Sequence, residues 1–105
     1  MTDKVLVLTT AGSRSEAQKI AQAVVERRLA ACVNSIPQIQ SVYRWEGRIE
    51  SAEEYLLLIK TTKGHVAEIQ STIEELHSYE LPECLVISVE GGSAEYLKWI
   101  DDSVT

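Results

Sequence analysis

His77, Glu80, Glu83 and Cys84 place an imidazole, two carboxylates and a thiol within eight residues, with Cys32 and His65 elsewhere in the chain. Thiolate together with imidazole suits copper or zinc. No Cys-x-x-Cys pair and no His pair at helical spacing is present, so the pattern is not that of a closed zinc site. On a strand, Glu83 and Cys84 would point to opposite faces. The alternative without chemistry makes Cys32 and Cys84 small buried hydrophobes, and His77 a helix-end residue that answers the dipole. The candidate metal ligands are therefore His77, Glu83 and Cys84. They would form a weak site for copper or another divalent cation, and no cofactor is required.

The chain contains no nucleophile elbow, phosphate loop or dinucleotide fingerprint, which argues against an enzyme. Gly91-Gly92 could cradle an anion, but also simply ends a strand. Lys60 lies near the end of an apolar run, where a part-buried ammonium needs a carboxylate; Glu53, Glu54 and Glu83 are candidates. With the aromatic residues, this defines a candidate cleft lined by Tyr43, Trp45, Lys60, Tyr79, Glu83 and Trp99. Packing is the other reading of those aromatics.

These groups are organised around the stretch Leu29–Thr62, which reads as two extended runs joined at Glu46-Gly47. Val33, Ile36, Ile39, Val42, Tyr43 and Trp45 suit a pleated strand, as do Ile49 and Tyr55-Leu56-Leu57-Leu58-Ile59. Gly47 allows the positive φ of a tight hairpin. Pro37 predicts an edge, or a bulge, in the first run. A dozen residues at ~3.3 Å each would span roughly 40 Å, whereas a domain of this size has a radius of gyration near ~13 Å. The arm should therefore protrude. The run Tyr55–Ile59 does not alternate, so both its faces want cover. One face can take helices, and the other is expected to take further copies of the chain.

Upstream, Lys4–Thr10 reads as a central strand, and Ser13 with Glu16 forms a capping box for a helix striped by Ala17, Ile20, Ala21, Val24, Val25 and Leu29. Downstream, Val66, Ile69, Ile73 and Leu76 mark a second helix that Pro82 prevents from continuing. Cys84–Val89 reads as a fourth strand, and Ser93 opens a last helix carrying Tyr96, Leu97, Trp99 and Ile100. The order is β-α-β-β-α-β plus a helix, the split βαβ pattern of an α+β ferredoxin-like sandwich, as one domain over residues 1–105.

The 105 residues are 45% hydrophobic, lack Phe and carry a formal charge of −6. That charge argues against nucleic acid as a partner. No apolar run is long enough for a membrane span, and Met1–Lys4 leads straight into a strand without a signal peptide. Two cysteines in no staple pattern point to a reducing, cytoplasmic protein.

Leu29-Ala-Ala-Cys-Val-Asn34 with Pro37, Ser41-Val-Tyr-Arg-Trp-Glu-Gly47 and Leu58-Ile-Lys-Thr-Thr62 resemble the signature of the CutA family of divalent cation tolerance proteins. His77-x-Tyr79-Glu-x-Pro82-Glu83 and Gly92-x-x-x-Tyr96-Leu-x-Trp99 are similar to its remaining motifs. The resemblance runs end to end. It implies a homotrimer, similar in architecture to PII-type signalling proteins, whose hairpin arm reaches a neighbouring subunit. It implies copper and divalent-cation tolerance, or a scaffold whose intersubunit clefts take a small molecule or a protein. Copper-binding members carry a cysteine at the end of the first strand and a His-His pair before the Tyr-x-x-Pro segment. The matching positions are Thr9, Leu76 and His77, with Ser78 where proline is common, so only His77 is a ligand type.

Overall fold

Glu46 and Gly47 adopt positive φ, 50° and 78°, and reverse the chain in two residues, with Trp45 facing Arg48 across the turn. Two left-handed residues match the right-handed twist of the flanking strands. The strands so joined are long. In the computed structural model, which describes residues 2–105, they are β2 (Cys32–Trp45) and β3 (Arg48–Thr62). Met1, part of the single-domain span and leaderless start read from the sequence, lies outside the described residues.

The remaining elements are β1 (Lys4–Ala11), α1 (Arg14–Glu26), a 3-10 turn (Lys63–His65), α2 (Val66–Leu76), β4 (Leu85–Ser88) and α3 (Ala94–Ser103). The sheet order is β2-β3-β1-β4, with every neighbouring pair antiparallel. This is the ferredoxin-like arrangement expected from the element order. The register between β2 and β3 slips between Ile36 and Ile39, so Pro37 and Gln38 together face Tyr55. Pro37 has no N–H to donate, and Gln38 takes φ 59°; the bulge predicted at Pro37 follows.

Side chains alternate across the sheet. Val5, Val7, Thr9, Leu57, Ile59 and Thr61 are fully buried with Ala17, Ile20 and Val24 of α1 and Ile69 and Ile73 of α2. This is the core. Val25, read as part of the buried stripe of α1, is instead 41% exposed. The opposite face carries Leu6, Leu8, Leu56 and Leu58, all half-buried, with Ile36, Leu85 and Ile87 exposed. Helix α3 covers only one end of it: Asp101 reaches Lys4 at 2.9 Å, and the Tyr96 hydroxyl accepts a hydrogen bond from Lys60.

The last pair between β1 and β3 is Ala11 with Tyr55. Beyond it, Ile39–Glu54 runs on as a two-stranded arm, and the molecule measures 44 × 25 × 22 Å. The radius of gyration, 14.2 Å, exceeds the value for a compact chain of this length, about 13 Å.

Candidate functional site

Where β1 ends, the segment after α2 folds past it and faces the arm. Pro82 cannot continue the helix, and the segment bends at residues 79–81 before reaching β4. Between them opens a groove of about 810 Å³, lined among others by Thr10, Tyr43, Trp45, Glu54, Tyr79 and Glu83. Tyr43 and Trp45 project from one face of the arm by strand alternation, and Glu54 lies opposite Ile39 on that same face.

Glu54 is only 6% exposed. Among the described residues its carboxylate accepts one side-chain hydrogen bond, from the Tyr79 hydroxyl at 2.6 Å. Burial, reinforced by that bond and by the Glu54 charge, pushes the Tyr79 hydroxyl far above its ordinary pKa. Burial, and then the charge of Glu54, raises the Glu83 carboxyl. Among the described residues neither carboxylate has an ion-pair partner. The groove is therefore acidic and aromatic. Gly12 permits the close approach of Tyr79, since a Cβ there would stand 2.9 Å from the hydroxyl oxygen.

His77 is turned away from this space. Its ring is fully buried, and Nε2–H donates to the Thr10 carbonyl oxygen at 2.6 Å. A carbonyl only accepts, so the proton belongs on Nε2. Nδ1 lies 3.0 Å from the Tyr79 N–H and 3.1 Å from Glu16 Oε1. The ring thus bonds β1, not the last carbonyls of its own helix as a C-terminal cap would. Glu16 also departs from expectation. Ser13 does cap α1, accepting from the Glu16 N–H at 3.2 Å, but the Glu16 carboxylate accepts from Ser78 N–H and Oγ–H instead of returning to Ser13. Burial alone would raise the Glu16 carboxyl, but the Ser78 donors and His77 outweigh it and leave it lowered.

The metal-ligand set His77, Glu83 and Cys84 is not assembled within the chain. Among the described residues no three His, Cys, Asp or Glu side chains converge. His77 has both ring nitrogens engaged, and Glu83 lines the groove. Cys84 packs against the core, where burial, with Glu74 and Glu83 nearby, raises its thiol. A protonated thiol is a poor ligand. Thr9 is buried on the helix-covered face with its hydroxyl unpartnered, while Thr10 lines the groove.

The six cleft residues divide into two groups. Tyr43, Trp45, Tyr79 and Glu83 line the groove. Lys60 and Trp99 lie at the far end of the open face with Tyr96: Lys60 Nζ donates to the Tyr96 hydroxyl at 3.2 Å, and the Tyr96 and Trp99 rings are 5.3 Å apart. Among the described residues no carboxylate pairs with Lys60, contrary to the expectation of Glu53, Glu54 or Glu83. Glu53 and Glu54 lie further back along β3, and Glu83 lies in the segment before β4. Glu54 itself was legible only as a possible partner for Lys60. Its place in the open-face column with Leu56 and Leu58 is the signal that marks it as part of the groove.

The model of the family described as CutA1 divalent ion tolerance protein matches residues 5–103. The divalent-cation tolerance protein CutA of Thermus thermophilus is 41% identical over 98 residues, covering 93% of this chain and 95% of that one. The chloroplastic CutA protein of Arabidopsis thaliana is 38% identical over 99 residues, and there the chain spans 54% of the relative's length. A solved structure described as the periplasmic divalent cation tolerance protein CutA of Archaeoglobus fulgidus superposes with a TM-score of 0.94 at 40% identity, covering 97% of this chain and 99% of that one. Those compartments belong to those proteins. Among the described residues of this chain, no helix is long and apolar enough to cross a membrane.

Proposed function

Because the chain belongs to the CutA1 divalent ion tolerance protein family, we propose that it contributes to divalent-cation tolerance as a homotrimer whose intersubunit clefts bind a small ligand. The observation that carries this reading is the acidic, aromatic groove opening onto an uncovered apolar sheet face. Leu6, Leu8, Leu56 and Leu58 with Ile36, Leu85 and Ile87 form a patch that only another protein surface would dry. Patches of this kind mark association sites. Copies meeting there would convert an open groove into an enclosed cleft. The reading does not route tolerance through a dedicated copper site on His77, Glu83 and Cys84, because the chain engages His77 internally.

Two measurements test it. Light scattering on the purified protein should return three chain masses, and a monomer at micromolar concentration would sink the proposal. Titration of metal-free protein with copper, zinc and magnesium should give the same binding curves for wild type and His77→Ala. Loss of copper binding by a folded His77→Ala variant would return that residue to the ligand set.

A further inference from the structure

Along β3 the open face reads Glu54, Leu56, Leu58, Lys60: a carboxylate, two leucines, an ammonium. At ~3.3 Å per residue the two charges stand roughly 20 Å apart, beyond the reach of a lysine side chain. Each end lacks its counter-charge.

At the acidic end, Glu54 is almost wholly buried with a phenol as its hydrogen-bond partner among the described residues, and Glu83 stands beside it. Arg44, which also lines the groove, alternates to the other face of the arm, opposite Ile49, and forms no ion pair among the described residues. At the basic end, Lys60 donates to Tyr96 alone, with Nζ 5.5 Å from the ring centroid. The buried charge of Glu54 is costly without a counter-charge, and an ammonium from another copy would relieve it, whereas Lys60 itself is only half-buried. Between the ends the strip is apolar. Such a strip is complementary to another copy head to tail, the basic end of one meeting the acidic end of the next, a contact that closes into a ring.

We propose that in the oligomer Lys60 of one copy enters the groove of the next and ion-pairs with Glu54 and Glu83, so that each cleft is completed by its neighbour. Tyr96 and Trp99 of the same copy would accompany Lys60 and close the aromatic wall begun by Tyr43 and Trp45. The six cleft residues, separated in a single chain, would thereby share one site. This inference rests on the association proposed above and adds the contact that orients it.

The test needs no variant at its first step. Nitrogen-15-labelled and unlabelled chains are mixed, unfolded, refolded together and treated with a carbodiimide, a zero-length reagent that joins accessible carboxylates to amines within direct bonding reach. The expected product is a Lys60–Glu83 or Lys60–Glu54 peptide link carrying one labelled and one unlabelled half. Links confined to a single isotope, or an oligomer without either link, overturn the pairing.

The second step is charge reversal. Lys60→Glu should raise the dissociation concentration of the oligomer at least about ten-fold, and Lys60→Glu/Glu83→Lys should recover most of that loss. No change in Lys60→Glu, or no recovery in the double variant of a chain that stays folded by circular dichroism, overturns the pairing while the association stands. A wild-type monomer overturns both.

Discussion

Tyr79 holds a carboxylate that has almost no contact with water, and its hydroxyl is the one side-chain donor to Glu54 among the described residues. Removing that donor takes from the buried charge the hydrogen bond its own chain supplies, and hydrogen bonds to charged groups are worth about 1.5–3 kcal/mol. Tyr79→Phe should lose stability of that order in urea unfolding at neutral pH. Tyr79→Phe/Glu54→Gln should lose less, because the charge goes with its donor. The hydroxyl also leaves a mark at alkaline pH. Its folded pKa is raised above the ordinary value of 10.0, so above pH 10 the unfolded chain sheds a proton that the folded chain keeps. Stability is therefore present below pH 10 and falls as pH rises beyond it. Tyr79→Phe should flatten that fall, and an unchanged alkaline limb would remove Tyr79 as its cause. The aromatic type at position 79 was legible in the sequence as a groove residue. Its bond to Glu54 was not, because the two meet only after α2 and the arm have been placed.

Among the elements, the hairpin and the α1 N-terminus make opposite demands on local sequence. The turn is local. Glu46 holds φ 50° without the side chain that favours it, whereas Asn-Gly is the preferred pair for this turn. Glu46→Asn should raise the thermal midpoint, with a gain of about 0.5 kcal/mol. Gly47→Val, forced to φ 78°, should cost about 1–2 kcal/mol. The reverse ranking would mean that the turn is not the two-residue form described. The join between α1 and the segment after α2 is non-local and runs through Glu16 and Ser78. The Glu16 carboxyl is lowered from 4.5, so its contribution is present above pH 4.5 and is lost as pH falls through the lower folded value. Glu16→Gln should remove part of the acid-unfolding limb, seen as a shallower pH dependence of the urea midpoint below pH 5. The capping box was half legible: Ser13 does cap the helix, but two donors on Ser78 outcompete the Ser13 backbone for the carboxylate.

At the scale of the whole molecule, the open sheet face sets behaviour in solution. Leu58 is half-buried there, paired across to Leu8 and Asn34. Leu58→Asp should convert the proposed trimer into smaller species by light scattering while leaving the helix-covered core intact by circular dichroism. A full-mass oligomer from that variant would place the association surface elsewhere. The protruding arm adds to the same expectation, because Val42 and Ile49, 69% and 64% exposed, project from its far face with nothing of their own chain to cover them.

Element order, the turn at Glu46-Gly47, an edge or bulge at Pro37 and the helix stripes apart from Val25 were determined by the sequence alone, because each depends on residues close together along the chain. Only the tertiary structure decided that His77 turns inward to Thr10, that Glu54 takes Tyr79 as its donor, and that Lys60 stands apart from every carboxylate. Those outcomes depend on which strand and loop ends the packed core brings within about 3 Å of one another, the reach of a hydrogen bond. Spacing along the chain does not encode that distance.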